Sequence, residues 1–388
     1  MTFRLLVTGG GTGGHTYPAL TAVRTLRARL ATMSRSLDVL WVGKADSLEE
    51  RVAKQEGIAF ATVATGKIRR SGNPLKMISP ANLADMGRVP LGVAQARSVI
   101  RKFDPDVVLA TGGYVAVPVG TAATRLCRRP LVVHEQTVRL GLANRVLAGG
   151  AARVAVSSES TLPLLPETAR AKAVVTGNPV RPEVLAGQPD KAVRALDLLG
   201  FDPRLSTVYV TGGAQGSQQI NGIVRDTLPW LLRHANVIHQ CGPDNEAALR
   251  QETGRLPGEL AGRYHLTGYV GPELPDVLAL AELVISRSGA GTLAELTALG
   301  KTSVLVPLAS SAGNEQAHNA RYLEDVGAAV ALTGEVTAER LREAVAPLLT
   351  DPHRREAMAA RAREHGRPDA AERLVDVVLS AARDHRSA

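Results

Sequence analysis

The chain has 388 residues, of which 45% are hydrophobic and only 3% are aromatic, and it carries a formal net charge of +9. This length suits two domains, and the excess of Lys and Arg favours an anionic partner such as a phosphate ligand or an acidic membrane surface. The scarcity of aromatic residues argues against a base-stacking surface for nucleic acid. No run of 18 apolar residues occurs, and the two cysteines have no metal-binding spacing, which is typical of a cytoplasmic protein.

Strand-like and helix-like segments alternate along the chain, which predicts an α/β fold. The first strand runs into a glycine-rich turn over residues 5–14, and the same construction recurs over 208–216. Because one such turn opens each half, we expect two Rossmann-like, doubly wound parallel-sheet domains facing a cleft. Turns of this kind bring backbone N–H groups close to an anion at a helix N-terminus.

The predicted elements follow in chain order. The apolar runs predict strands over 5–8, 38–42, 107–110, 131–133, 154–156, 173–175, 207–211, 236–240, 264–267, 283–286 and 303–307. Apolar residues recur at helical spacing after the first turn, which predicts a helix there. A helical tail is predicted from about 351 to 383. The stretch 176–182 contains two prolines and predicts the boundary between the domains.

The first turn matches G-x-G-x-x-G through Gly9, Gly11 and Gly14. A dinucleotide site also needs an acidic residue about 20 positions further on, but none occurs before Asp38. The glycines therefore favour approach to a phosphate without indicating a nucleotide. His15 follows directly and could accept a proton from an attacking hydroxyl, although a structural hydrogen bond at a helix start is the alternative.

Polar residues follow two further strands of the first half. Thr111-Gly112-Gly113-Tyr114 comes after the strand at 107–110, and His134-Glu135-Gln136 comes after the strand at 131–133. Ligands bind at the carboxyl ends of strands in open α/β sheets. These segments predict the walls of a site, with a hydrogen-bonded loop as the alternative for the second.

In the second half, the segment 286–295 follows a strand and opens a helix. Backbone N–H groups near Gly289 could hold a diphosphate, and Glu295 could accept hydrogen bonds from ribose hydroxyls. A capping box formed by Thr292 and Glu295 is the alternative. The polar cluster 314–319 could bind sugar hydroxyls or could be an ordinary solvated helix start.

Two patterns are missing or misplaced. The segment Asp104-Pro105-Asp106 reads D-x-D but precedes a strand, so it lies at the wrong end of a parallel sheet and is read as a turn. No G-x-x-x-x-G-K-[ST] motif occurs, which argues against a P-loop kinase. The sequence therefore predicts no metal site.

These motifs, in this order across nearly the whole chain, resemble the MurG family of GT-B glycosyltransferases. The matching segments are 9–15, 112–115, 134–136, 141–145, 177–181, 212–216 and 287–290, with Glu295 and Gln316. The resemblance implies inverting transfer of GlcNAc from UDP-GlcNAc to the C4 hydroxyl of the muramyl sugar of lipid I. The product would be lipid II for peptidoglycan synthesis, with no obligatory metal or cofactor.

The resemblance also implies which domain binds which substrate. Residues 1–180 with 364–388 would form an N-terminal domain that binds the acceptor and associates with the membrane, with the C-terminal helix crossing back onto it. Residues 181–363 would form the domain that binds the UDP-sugar.

Site residues are implied in the same way. On the donor side, the uracil would be bound by Arg181, Tyr269 and the backbone of Val270, the ribose by Glu295, the diphosphate by Gly213, Ser288 and Gly289, and the GlcNAc hydroxyls by Glu315 and Gln316, with Gln215 and Thr292 completing the set. The acceptor pocket would be lined by Thr12, Gly13, Gly14, His15, Tyr114, Glu135 and Asn144. His15 is the first candidate for the catalytic base, and Glu135 is the second.

The sequence departs from the family pattern at three positions. Thr137 stands where Asn usually follows His-Glu-Gln, which affects acceptor recognition. Ala214 replaces a serine in the second turn, where backbone donors or Ser217 could compensate. Glu315 replaces a more common Gln or His and would alter a sugar contact.

A lipid acceptor requires a membrane-facing surface. The stretch 67–78, with Leu83, Met86 and Arg88, mixes apolar and basic residues as an interfacial patch on an anionic leaflet does. A buried helix pair with solvated charges is the alternative. We expect a peripheral protein on the cytoplasmic face of the inner membrane, whose partners are lipid I, anionic lipids and other cell-wall enzymes, but not nucleic acid.

Four other functions stay open. They are a related GT-B transferase acting on another acceptor, which Thr137 favours, a UDP-GlcNAc epimerase, a nicotinamide-dependent dehydrogenase and a non-enzymatic membrane-docking protein. The dehydrogenase leaves the second glycine turn unexplained, and the docking protein leaves the polar clusters after the strands unexplained.

Overall fold

The structure is a computed structural model that describes residues 2–66, 80–254 and 256–387. It contains two compact units. The first unit comprises Met1–Pro179 and Asp369–Ala388, and the second comprises Val180–Pro368. The chain returns from the second unit to the first between Pro368 and Asp369. This position is five residues beyond the boundary at 363/364 that the resemblance implied.

The first unit is built around a seven-stranded parallel sheet with the order β3-β2-β1-β4-β5-β6-β7. Its strands are β1 (Phe3–Thr8), β2 (Leu37–Gly43), β3 (Ala59–Thr62), β4 (Val107–Ala110), β5 (Leu131–Glu135), β6 (Arg153–Val156) and β7 (Ala173–Val175). Its α-helices are α1 (Gly13–Thr32), α2 (Leu48–Gln55), α3 (Pro80–Phe103), α4 (Ala116–Thr121), α5 (Leu142–Ala148), α6 (Glu167–Arg170) and the C-terminal α16 (Ala370–Ser387).

The second unit repeats the plan with a six-stranded parallel sheet in the order β10-β9-β8-β11-β12-β13. Its strands are β8 (Thr207–Thr211), β9 (Asn236–Gln240), β10 (Tyr264–Thr267), β11 (Leu283–Ser286), β12 (Thr302–Leu305) and β13 (Val330–Ala331). Its α-helices are α7 (Pro189–Ala195), α8 (Gln218–His234), α9 (Pro243–Thr253), α10 (Gly258–Ala261), α11 (Leu274–Leu280), α12 (Ala290–Leu299), α13 (Glu315–Asp325), α14 (Ala338–Thr350) and α15 (Pro352–His365).

Each sheet is covered by apolar packing on both faces, which explains the continuous apolar runs in the sequence. In β1, Leu5 and Val7 belong to one core layer, and Leu6 belongs to the opposite layer. The C-terminal helix α16 packs into the first of these layers through Leu374 and Val378. The last segment of the chain thus completes the core of the first unit.

The sequence interpretation missed two short strands, β3 and β13, and it joined two helices in the tail. The chain leaves the α15 helix at Gly366, where the backbone is extended. A Cβ at this position would lie 2.5 Å from the carbonyl oxygen of Thr297. The close approach of two backbones therefore requires glycine here and separates α15 from α16.

Candidate functional site

The register of each sheet brings the predicted motifs together. Thr8 pairs with Ala110, so the turns that follow β1 and β4 lie side by side. In the second unit, Ser286 pairs with both Thr211 and Leu305, which places the loops after β8, β11 and β12 at one edge of the sheet. Ligand sites of open α/β sheets form at such edges.

The turns after β1 and β4 pack closely against each other. Gly113 has φ +80°, and a Cβ there would lie 2.3 Å from the carbonyl oxygen of Gly10. On the same side, a Cβ on Gly112 would meet the His15 ring at 3.0 Å and the side-chain nitrogen of Asn144 at 3.3 Å. Two of the predicted acceptor residues are therefore neighbours around Gly112.

The other predicted acceptor residues lie at the same turn. Gly13 and Gly14 open helix α1, whose N-cap Thr12 is exposed and makes no side-chain capping bond. Tyr114 is half-buried, and its ring would contact a Cβ placed on Gly11 at 3.2 Å. The predicted acceptor residues therefore lie together at the start of this helix, where the Thr12 side chain is exposed.

A buried carboxylate that the sequence interpretation missed lies beneath the first turn. Glu49, in the first turn of α2, is 1% exposed, and its Oε2 accepts the backbone N–H of Gly11 at 3.1 Å. This N–H group is satisfied by an anion from the protein itself. The expected approach of a phosphate to the first turn is therefore opposed at Gly11 by an internal negative charge.

Glu135 is also buried, with 2% of its surface exposed. Its Oε1 accepts hydrogen bonds from the backbone N–H of Thr137 at 3.2 Å and from the Thr137 hydroxyl at 3.0 Å. Its Oε2 accepts from the backbone N–H of Gly141 at 2.8 Å and from Nδ2 of Asn144 at 2.9 Å. Internal donors thus occupy both oxygens, and Thr137, where the family usually has Asn, is one of the residues that hold this carboxylate.

His15 begins a chain of polar contacts into the first unit. Its Nδ1 lies 2.9 Å from Oε1 of Gln136, whose Nε2 lies 3.0 Å from Nδ1 of His134. His134 is completely buried, and its Nε2 lies 3.1 Å from the carbonyl oxygen of Gly177. Burial is the main cause that lowers the pKa of His134 to about 4, with the neighbouring His15 adding to it, so His134 is neutral at neutral pH.

The second glycine turn is more open. Gly213 has φ +86°, and a Cβ there would meet no atom within 4 Å. Its N–H donates to the Thr211 hydroxyl at 3.0 Å, and its carbonyl accepts from Nε2 of Gln240 at 2.9 Å. The next predicted donor residue of this turn, Gln215, is exposed.

Gln240 joins two parts of the predicted donor site, and the sequence interpretation missed it. Besides contacting Gly213, it accepts the Tyr209 hydroxyl at 2.9 Å and the backbone N–H of Val270 at 3.2 Å, both on Oε1. The N–H of Val270 is therefore already bound within the protein. The neighbouring residue Tyr269 is 58% exposed.

Arg287 supplies a positive charge beneath the second turn. Its guanidinium donates to the Ser217 hydroxyl oxygen at 2.6 Å, to the Gln219 side-chain oxygen at 2.9 Å, and to the carbonyls of Val306 and Pro307. Burial lowers the pKa of Arg287. Ser217 also caps α8 by accepting the N–H of Ile220, so its oxygen is already used and does not simply replace the serine missing at Ala214.

The start of α12 differs from the capping-box alternative. The N-cap is Gly289, which makes no side-chain cap, so Thr292 lies inside the helix and Glu295 lies beyond its first turn. A Cβ at Gly289 would meet no atom within 4 Å. The buried Ser288 hydroxyl donates to the carbonyl of Gln316 at 2.7 Å and fixes the start of α12 against α13.

Arg181 and Glu295, assigned to the uracil and the ribose, form a salt bridge with each other. Nε and Nη2 of Arg181 donate to Oε1 of Glu295 at 3.0 and 2.8 Å. Burial raises the pKa of Glu295, and the charge of Arg181 opposes this rise. Because both contacts use one oxygen, the second oxygen can accept a hydroxyl donor.

The expected GlcNAc-binding residues begin helix α13. Oε1 of Gln316 accepts the N–H of Leu308 at 3.0 Å, so its oxygen is held and its amide nitrogen is the group that can donate to a sugar hydroxyl. Glu315 is the first residue of the helix and is half-buried.

The expected membrane patch falls largely outside the described residues. This applies to the stretch 67–78, whereas Leu83, Met86 and Arg88 belong to helix α3. In the described part of the chain, no helix combines the length and the apolar character needed to cross a membrane. Over the same residues, no three His, Cys, Asp or Glu side chains are grouped so that they could hold a metal ion.

Two family models match the two halves of the chain. Residues 5–156 match the glycosyltransferase family 28 N-terminal domain, and residues 207–374 match the glycosyltransferase family 28 C-terminal domain. A relative from Desulforudis audaxviator is 36% identical, with 97% of each chain covered. It is named UDP-N-acetylglucosamine–N-acetylmuramyl-(pentapeptide) pyrophosphoryl-undecaprenol N-acetylglucosamine transferase.

Two solved structures are similar to the chain. MurG from Acinetobacter baumannii has a TM-score of 0.75 and 26% identity, with 97% of this chain and 99% of that chain covered. A UDP-GlcNAc 2-epimerase from Neisseria meningitidis, solved with UDP-GlcNAc, has a TM-score of 0.66 at 16% identity and covers 98% of this chain and 100% of its own. At that identity the epimerase shows a shared fold alone.

Proposed function

The chain belongs to glycosyltransferase family 28, and on this premise we propose that it transfers GlcNAc from UDP-GlcNAc to the C4 hydroxyl of the muramyl sugar of lipid I. The observation that carries the proposal is the match, over 97% of both chains, to a relative that is named for this transfer. The product is lipid II, the precursor that peptidoglycan synthesis consumes.

The second unit is proposed to bind the donor. Glu295 accepts a ribose hydroxyl on its second oxygen, and the first-turn N–H groups of α12 hold the diphosphate beside Gly289, where there is open space. Tyr269 and the backbone of Val270 contact the uracil. Val270 does so through its carbonyl, because its N–H already donates to Gln240. Gln316 donates to the GlcNAc hydroxyls.

The first unit is proposed to bind the acceptor, and His15 is proposed as the base. Internal donors occupy both oxygens of Glu135, which favours a role for this carboxylate in holding Asn144 and the loop that follows β5. The hydroxyl oxygen of the acceptor forms a bond to C1 as the bond from C1 to the UDP oxygen breaks. The electron pair leaves with UDP, and the hydroxyl proton passes to Nε2 of His15.

Stabilisation of the leaving diphosphate is proposed to come from the helix dipole and backbone N–H groups of α12, with the positive charge of Arg287 nearby. We therefore expect full turnover in the presence of EDTA. Loss of activity in EDTA that Mg²⁺ restores would contradict this part of the proposal.

A lipid-linked acceptor requires contact with a membrane. We propose a peripheral location on the cytoplasmic face, with the basic and apolar stretch 67–78 and anionic lipids contributing to it. Sedimentation with vesicles should increase with their content of anionic lipid and fall at high salt. Equal binding to neutral and anionic vesicles would contradict the role of charge.

The decisive experiment incubates the protein with UDP-GlcNAc and a lipid I analogue, alongside a panel of soluble sugar and natural-product acceptors. Elongated lipid is the expected product. Turnover of a soluble acceptor alone would indicate a related transferase, and a free sugar epimer would indicate an epimerase.

A further inference from the structure

Two residues of the first unit beside His15, Gln136 and His134, have no part in the transfer chemistry described above. Both are buried, with exposed fractions of 3% for Gln136 and zero for His134. Burying two polar side chains is costly unless their donors and acceptors are matched. The pattern of donors and acceptors in this chain is therefore informative.

The order of donors starts at the buried end. The carbonyl oxygen of Gly177 can only accept, so Nε2 of His134 must carry the hydrogen of their 3.1 Å contact. Because His134 is neutral, its Nδ1 is then an acceptor. It accepts from the side-chain nitrogen of Gln136 at 3.0 Å.

The amide of Gln136 is held in this orientation twice. Its Nε2 also donates to the backbone carbonyl of His134 at 2.8 Å. Turning the amide over would place its oxygen against that carbonyl and against Nδ1 of the ring, which are both acceptors. Oε1 of Gln136 therefore faces His15 as a fixed acceptor.

We propose that Gln136, held by His134, is a positioning residue that fixes His15 in the tautomer with the hydrogen on Nδ1. His15 donates this hydrogen to Gln136 at 2.9 Å, and the lone pair on Nε2 is left to receive a proton. His15 is half-buried, and no residue in the described part of the chain hydrogen-bonds its Nε2.

This inference rests on the proposed role of His15 as the base. During transfer, Nε2 takes the hydroxyl proton, while the hydrogen on Nδ1 stays bonded to Nδ1 and continues to be donated to Oε1 of Gln136. The resulting imidazolium keeps the same neighbour, so no reorientation of the ring is needed. Gln136 itself is not protonated at any step.

The first test reads the tautomer directly and does not depend on turnover. Two-bond ¹H–¹⁵N spectra of the protein labelled with ¹⁵N-histidine resolve protonated and bare ring nitrogens, and His15→Gln assigns the His15 signals among the nine histidines. We expect wild-type His15 at neutral pH to be in the Nδ1–H form. An Nε2–H form, or an equal mixture of the two, would overturn the proposal.

Variants of Gln136 provide the second test. Gln136→Met removes the acceptor with little change in volume, and we expect His15 to become a mixture of tautomers. Gln136→Leu, which also lacks an acceptor opposite Nδ1, should give the same mixture of tautomers. His239, which is buried in the second unit with Asn221 at 3.1 Å, is the internal control, and its signals should not change.

The kinetic consequence separates positioning from structural support. Gln136→Met should lower kcat about 10-fold with an unchanged KM for UDP-GlcNAc. Loss of kcat with an unaltered tautomer would overturn the proposal. A fixed tautomer in an enzyme that keeps full turnover after His15→Ala would instead reject His15 as the base and leave the tautomer assignment standing.

Discussion

The two glycine-rich turns follow the same kind of strand, yet they have opposite electrostatic surroundings. Beneath the first turn, the buried carboxylate of Glu49 accepts the N–H of Gly11. Beside the second turn, the guanidinium of Arg287 binds Ser217, a side-chain amide and two backbone carbonyls. A strand, a glycine turn and a helix therefore do not by themselves define a phosphate site. The charges of the side chains around the turn determine whether a bound anion is stabilised or repelled.

The first unit instead concentrates histidine and amide side chains at its turn. His15 and its buried neighbours lie beside Gly112, whereas the second unit offers open space at Gly213 and Gly289. This contrast supports an acceptor role for the first unit and a donor role for the second. The following predictions test it, from the largest expected effect to the smallest.

His15→Ala should lower kcat by roughly 10²–10⁴ because the proposed base is removed, while the KM for UDP-GlcNAc stays near its original value. Steady-state kinetics with a lipid I analogue provide the measurement. His353→Ala is the control, since this side chain is 96% exposed. A large rise in the donor KM would place His15 on the donor side and break the comparison.

Acidification should lower the free energy of unfolding of both units, because each one buries a neutral histidine. Burial lowers the pKa of His134 and of His239 from 6.5 to about 4. Above pH 6.5 each ring is neutral in both states. Between pH 6.5 and 4 the unfolded chain binds protons that the folded chain does not, which costs on the order of 3 kcal/mol for each histidine.

Chemical denaturation at several pH values between 7.5 and 4.5 tests this expectation. His239→Gln keeps an amide opposite Asn221 and should reduce the dependence of the free energy of unfolding on pH. An unchanged dependence would show that His239 does not contribute to it.

Glu295→Gln should raise the KM for UDP-GlcNAc by roughly 10- to 100-fold with a smaller effect on kcat. The amide keeps one oxygen, but it loses the charge that strengthens the bond to a ribose hydroxyl and the salt bridge to Arg181. Titration calorimetry with UDP gives the affinity directly. Unaltered UDP binding would exclude this carboxylate from the donor site.

Gly289→Ala should weaken donor binding about 10-fold without loss of stability. The added methyl meets no protein atom within 4 Å, and φ is an ordinary −67°, so only a ligand would be displaced. Gly222→Ala, which likewise adds a methyl in open space but within helix α8, is the matched control. Equal UDP affinity in both variants would contradict a diphosphate beside Gly289.

Glu49→Gln should cost about 1 kcal/mol of stability and leave the donor KM unchanged. The amide oxygen still accepts the N–H of Gly11, while the negative charge is lost. Thermal unfolding and kinetics measure the two quantities. Tighter binding of UDP to this variant would show that only the charge of Glu49 keeps the first turn from holding a diphosphate.

The periodicity of the sequence predicts most of the fold. Continuous apolar runs such as 107–110 and 207–211 are strands within the expected bounds, because strands covered on both faces need apolar residues throughout. The edge strands β3 and β13 escaped prediction, whereas the edge strands β7 and β10 did not. None of the four residues of β3 is fully buried, and β13 has only two residues, so the pattern of a short buried run does not mark either strand. The ordered motifs were enough to identify the family.

The sequence by itself determined which residue types follow each strand, since motifs such as 9–15 and 134–136 are local. Only the tertiary structure decided their partners. It placed Glu49 beneath Gly11, 38 positions apart, and Gln136 against His15, 121 positions apart. Such pairings depend on how parallel strands from distant parts of the chain are ordered in the sheet, and no local spacing in the sequence records that order.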